Sequence, residues 1–123
     1  MKQLILVFLG GGAGSVLRYL IGRALNNYIP NFYLGTFLVN LMGCLLIGFT
    51  LGLASRNHFL NQNQALLISA GFCGGFTTFS SFALEQHSFL KNGDILHFSL
   101  YTACSILFGI LAVAFGLWMA KTV

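Results

Sequence analysis

Four apolar runs, each long enough to cross a lipid bilayer, constrain this chain more than any other feature. They run from about Leu4 to Leu25, Phe32 to Ala54, Ala65 to Phe89 and Ile95 to Ala120. The segments between them are short and polar: Asn26–Asn31 with the only proline, Pro30; Ser55–Gln64 with Arg56 and His58; and the turn signal Lys91-Asn-Gly-Asp94. A helical span needs about 20 apolar residues. In lipid every backbone N–H and C=O must be satisfied within the protein, which leaves helices as the form for such runs. At most about five spans fit a chain of this length, and four fit with short loops. The expected fold is therefore an all-α integral membrane protein with four transmembrane helices, one four-helix domain over residues 1–123. Charge supports this, because only 7% of residues are charged, against about 25% in a soluble domain.

The N-terminus has a competing reading. Lys2 and the apolar run Leu4–Leu9 resemble a secretory signal. The apolar pattern, however, continues through Gly10–Leu25 and three further spans follow, so this segment is expected to remain as the first span. Cys44, Cys73 and Cys104 lie singly in the last three runs, a pattern that suits neither a disulfide framework nor a Cys-x-x-Cys site. The net charge is +4, but six basic residues scattered over loops and tails make no nucleic-acid footprint. Among the 15 glycines, Gly10/Gly14 and Gly48/Gly52 recur at four-residue spacing, with Ala112/Gly116 similar. Small residues at that spacing allow close helix approach in lipid.

Basic residues usually fix orientation by accumulating on the cytoplasmic side. With four spans, Lys2, Arg56 and Lys121 share one side; Arg23 and Lys91 share the other, joined by Arg18 if it snorkels outward. Three stand against two or three, so the chain has no clear preferred orientation. The expectation is dual topology, with an antiparallel homodimer as the working form.

The third run carries the sequence Gly-Phe-Cys-Gly-Gly-Phe-Thr-Thr-Phe-Ser-Ser-Phe at 71–82. From Gln64 to Gly74 is about 15 Å at 1.5 Å per residue, half of a roughly 30 Å hydrocarbon core. The glycines are thus expected to break the third helix at mid-membrane. Half-helices meeting at the midplane are a recurrent ion-binding device. The first half offers freed carbonyls and the second offers freed N–H groups. A glycine kink packed on a neighbour would need no hydroxyls, and four follow at once: Thr77, Thr78, Ser80 and Ser81.

Other residues extend this constellation. Phe79 and Phe82 are three apart and share a helix face. Aromatic ring edges carry partial positive charge, which suits a small anion without trapping it, although with 13 phenylalanines either ring could simply face lipid or core. Asn40 lies about 12 Å into the second span; its amide must find partners, structural or ionic. Tyr101, Ser105 and Gly109 fall at i, i+4 and i+8 on one face of the fourth span, as a polar track or as hydroxyls bonded back to their own helix. Arg18 lies about 22 Å along the first span, and an intramembrane arginine either snorkels or lines a wet vestibule. Glu85 is the only acid within a span. With one acid and no paired His or Cys, no hydrolytic or nucleophile–base arrangement can be assembled, which argues against an enzyme.

Taken together, the motifs at 10–19 (Gly-Gly-Gly-Ala-Gly-Ser-Val-Leu-Arg-Tyr), 35–44 (Gly-Thr-Phe-Leu-Val-Asn-Leu-Met-Gly-Cys) and 71–82 resemble those of the Fluc-type (CrcB) fluoride channels, and the resemblance extends over all four spans. It implies an antiparallel dual-topology dimer with two fluoride pores, set in the cell inner or plasma membrane. It implies that Phe79 and Phe82 line a pore and that Asn40 helps to coordinate fluoride. Thr78, Ser80, Ser81, Tyr101 and Ser105 would form the polar route, and Arg18 would stand near an aqueous vestibule. A structural Na⁺ on the dimer axis would be held by backbone oxygens of Gly74 and Thr77. Gly109 departs from relatives that carry a hydroxyl there. The implied partners are fluoride, the bilayer and a second copy of the chain, and the implied activity is passive export of F⁻ that entered as HF.

Two rivals belong to other classes. A four-span drug/proton antiporter needs a buried carboxylate for exchange, and the first two spans contain no acid. A non-transporting assembly subunit would use the glycines but not the hydroxyl-rich stretch.

Overall fold

The computed structural model describes residues 1–56 and 59–123; His58 of the second loop lies outside the described residues. The apolar runs fold as α1 (Lys2–Leu25), α2 (Leu34–Ala54), a third stretch in several pieces, and a last long helix (Ile95–Thr122). The third stretch comprises α3 (Gln62–Leu66), a π-helical segment (Leu67–Cys73), α4 (Gly74–Phe76) and α5 (Phe79–Lys91); the last helix is α6. All four stretches are long and apolar enough to cross a membrane. Their ends lie within about three residues of those the sequence suggests, and local chemistry fixes the starts of the third and fourth stretches. Asn61 and Gln64 form a reciprocal capping box: Gln64 N donates to Asn61 Oδ1 at 2.8 Å, and Asn61 N donates to Gln64 Oε1 at 3.0 Å. Asp94 caps α6 by accepting from His97 N at 3.1 Å. The His97 ring beside it holds the Asp94 carboxyl below the usual carboxylate range, seconded by that backbone bond. The turn before it depends on Gly93, whose φ of 69° would strain a residue with a side chain.

Glycines set the packing. α2 lies along α6, and a Cβ on Gly48 would collide with the Val113 carbonyl, one on Gly116 with the Leu45 carbonyl. α1 lies along the π-helical segment and α4. There Gly14 faces the Phe72 carbonyl and Gly75 faces the Gly11 carbonyl, with no room for a side chain at either. Gly10, Gly14 and Gly48 are therefore backbone-to-backbone contacts, while Gly52 makes room for the Ala120 side chain. Outward-facing Phe8, Val16, Leu84 and Ile110 are exposed in the single protomer, as lipid-facing or subunit-facing surfaces require.

One expectation is corrected. The glycines at 71–75 do not leave helical geometry: Gly71 is π-helical, while Gly74 and Gly75 are α-helical. The residues outside helical geometry are Thr77 (φ −79°, ψ 159°) and Thr78 (φ −151°, ψ 118°). The glycines serve close approach to α1 instead.

Candidate functional site

Two consecutive extended residues between helices leave backbone groups that no helix can satisfy. Asn40 on α2 takes up part of that deficit. Thr78 N donates to Asn40 Oδ1 at 2.7 Å, and Asn40 Nδ2 donates to Thr78 O at 3.1 Å. One side-chain amide thus pairs with both backbone groups of one residue, as a neighbouring strand would, and holds Thr78 extended. One N–H of the Asn40 amide is left over by these two bonds. The Thr78 hydroxyl caps the following helix, accepting from Ser81 N at 3.1 Å, and lies 3.3 Å from Ser80 Oγ. The Thr77 hydroxyl donates back to Cys73 O at 2.8 Å, which finishes α4.

Around this junction lies an open groove of about 480 Å³, lined by Asn40, Thr77, Thr78, Phe79, Phe82 and Ser105, with Gly74 at its edge. Among the described residues no charged side chain lines it. Phe79 is 80% exposed, and its ring centroid is 6.2 Å from that of Phe82. Ser105 Oγ is buried and has no hydrogen-bond partner among the described residues. Leaving a buried hydroxyl unpaired costs about 1–3 kcal/mol; the buried side-chain oxygen of Gln86, away from this groove, is likewise without a partner among the described residues.

The remaining candidates lie elsewhere. Tyr101 is not an open member of a track on α6: it is 1% exposed, and its hydroxyl donates to Glu85 Oε2 at 2.8 Å. Thr36 Oγ1 donates to the other carboxylate oxygen at 2.5 Å, while Asn26 Oδ1 accepts from Thr36 N at 2.9 Å. This Asn26–Thr36–Glu85–Tyr101 network joins all the spans but was not legible as a unit, since its members are far apart in sequence. The single clue was Glu85 as the lone acid inside a span. Ser81 borders a second groove above Glu85, together with Lys91; Ser80 is exposed and lines neither groove. Phe82 connects the two regions, its ring centroid 5.2 Å from that of Tyr101. Arg18 touches neither groove: its Nε donates to Gly75 O at 2.9 Å.

The carbonyls of Gly74 and Thr77 accept no side-chain hydrogen bond from the described residues. A Cβ built on Gly74 would meet nothing within 4 Å, so this edge of the groove opens outward. Backbone carbonyl oxygens of this kind can replace the hydration shell of a monovalent cation.

Comparison with known proteins bears on what the groove holds. The family model described as CrcB-like protein, Camphor Resistance (CrcB), matches residues 5–117. A protein of Gloeothece citriformis named fluoride-specific ion channel FluC is 45% identical over 122 residues, 98% of both chains. The protein of that name from Phocaeicola vulgatus is 48% identical, over 98% of this chain and 100% of its own length. One from Bacteroides fragilis is 44% identical over 98% of each chain.

Proposed function

This chain belongs to the CrcB-like protein family, and on that premise we propose that it is a fluoride-selective channel, passing F⁻ passively out of the cell. Export of this kind lowers cytoplasmic fluoride that entered as HF. The observation that carries the mechanism is the groove at Thr77–Thr78: its polar lining is uncharged, and it includes the unpartnered Ser105 hydroxyl. Fluoride is small and strongly hydrated, so donors must replace its water. The spare N–H of Asn40 and the Ser105 hydroxyl are such donors, and the edges of Phe79 and Phe82 supplement them. Uncharged donors bind the ion without trapping it, as conduction requires.

The working unit in this reading is an antiparallel homodimer with two pores in the cell membrane, and the Thr77–Thr78 junction stands near the bilayer midplane. The even distribution of basic residues supports that arrangement, as does the open edge at Gly74. The carbonyls of Gly74 and Thr77 fit a structural Na⁺ at the two-fold axis. Once bound, the ion would supply a positive charge that draws backbone oxygens of both protomers together. Thr78 forms the near part of the polar route, with the Ser80 hydroxyl 3.3 Å from its own and Ser81 continuing it at the second groove. Tyr101 serves it from behind Phe82, with its hydroxyl held by Glu85.

Fluoride efflux from liposomes containing the purified protein, with chloride as the control ion, tests the function. Rapid efflux of fluoride and none of chloride is expected; absence of fluoride-selective efflux overturns the reading. Reporters active on only one side of the membrane, fused to the C-terminus, test the topology. Comparable signal from both is expected, and signal from one alone excludes dual insertion.

A further inference from the structure

In an unbroken α-helix the carbonyl of Gly75 would accept the N–H of Phe79, four residues on. Extended backbone at Thr77 and Thr78 moves that N–H away and leaves Gly75 O at the end of α4. Two side chains from α1 converge on this oxygen. Arg18 Nε donates at 2.9 Å and Ser15 Oγ at 3.3 Å. Ser15 and Arg18 are three apart and so share a face of α1. On the same side of α1 the Gly11 backbone leaves no room for a Cβ on Gly75.

We propose that Arg18 is a positioning residue of the pore: its Nε, seconded by Ser15, replaces the missing helical N–H at Gly75 and clamps the end of α4 onto α1. The clamp fixes where the helix stops. It thereby holds Thr78 within reach of Asn40 and Phe79 at the groove. This rests on the channel reading for its consequence and assigns Arg18 a task other than attracting anions with its charge. The chemistry favours arginine over lysine. A guanidinium presents Nε–H at a fixed angle partway along the side chain, whereas a lysine ammonium is a point charge at the tip of a flexible stem. The terminal nitrogens of Arg18 have no hydrogen-bond partner among the described residues, so it is Nε that makes the contact.

The test separates geometry from charge. Fluoride efflux is measured for the full-length wild type, Arg18→Lys, Arg18→Gln and Ser15→Ala. Each is measured at about 0.01 M and about 0.1 M of an impermeant salt, which shortens the screening length from about 30 to about 10 Å. Amide hydrogen exchange over residues 76–80 is followed in the same preparations. A clamp predicts that Arg18→Lys, despite its retained charge, loses about tenfold in flux at both salt levels, as loss of one charge-assisted hydrogen bond implies. Ser15→Ala loses about twofold, and exchange over 76–80 rises in both variants. Wild-type flux in Arg18→Lys, with a loss in Arg18→Gln that appears only at low salt, overturns the clamp and makes Arg18 a charge. If Arg18→Lys does not elute as a folded species, Ser15→Ala decides, and unchanged flux and exchange there overturn the proposal. Faster exchange in the variants of a wild type that conducts no fluoride would remove the channel reading and leave the clamp standing.

Discussion

The Asn40–Thr78 junction and the Glu85 network are both polar and both lie among apolar helices, yet they are finished differently. At Glu85 each carboxylate oxygen receives a hydroxyl, from Thr36 and from Tyr101, and Thr36 is itself tied to Asn26. At the junction the backbone of Thr78 is paired, but an Asn40 N–H is left over and Ser105 has no partner. A saturated network in a low-dielectric interior specifies one packing. An unsaturated one, costly if left empty, creates affinity for a ligand that completes it. In the proposed function the first region is therefore structure and the second the site, although both contain the hydroxyls and amides that sequence alone would group together.

The contrast can be broken most directly at Asn40. Asn40→Ala removes both partners of the Thr78 backbone, and two unpaired backbone groups cost about 2–6 kcal/mol. Fluoride flux should vanish and the thermal midpoint of the detergent-solubilised protein should fall. A variant that keeps its midpoint would show that the junction does not depend on this pairing.

Glu85→Ala comes next. It strands the Tyr101 hydroxyl at about 1–3 kcal/mol and leaves the Thr36 hydroxyl only its longer bonds to the Asn26 amide, so the midpoint should drop beyond that of Tyr101→Phe, which loses one bond, about 1 kcal/mol. Equal midpoints for the two variants would sink the claim that the network is saturated.

Phe79→Ile and Phe82→Ile sharpen the comparison from the other side. Each should reduce flux several-fold without dissociating the assembly on gel filtration. For Phe79, which is 80% exposed in the protomer, the midpoint should scarcely change. Unchanged flux in both would remove the ring-edge argument.

The smallest effect is expected at Ser105, where its sign is informative. Ser105→Ala deletes a buried hydroxyl with no partner, so stability should hold or rise slightly, by up to about 1 kcal/mol, while flux falls. A fall in midpoint would mean that the hydroxyl is bonded after all and that the groove is as finished as the Glu85 network.

Most of the fold was legible because apolar length and polar interruption set span ends with little ambiguity. α2 ends at Ala54 and α6 begins at Ile95, as composition indicates. The motif at 71–82 also pointed to the right neighbourhood. What could not be read was where the helix gives way. Glycine loosens a helix in water, where solvent can take up freed backbone groups; in lipid nothing does, so Gly74 and Gly75 remain helical. The interruption occurs two residues later, where Asn40, Arg18 and Ser15 supply replacement bonds from other spans. The same limit hid the Glu85 network. Asn26, Thr36, Glu85 and Tyr101 carry no shared local pattern, and only tertiary packing assembles them. Depth along α1 singled out Arg18, but a depth estimate contains no information about a hydrogen-bond partner.

The π-helical segment at Leu67–Cys73 makes chain length itself a determinant of the pore. Seven residues there take wider turns than an α-helix would use. A π-helical turn holds one residue more than the α-helical turn it replaces, so removing one of the seven would let the stretch relax to α-helical winding with Thr78 still near Asn40 and both phenylalanines still at the groove. A further inserted residue has no such relief and would turn everything downstream by about 100°. A single-codon insertion there would thus silence the channel by rotation alone, with every side chain still present, whereas a single-codon deletion would be tolerated.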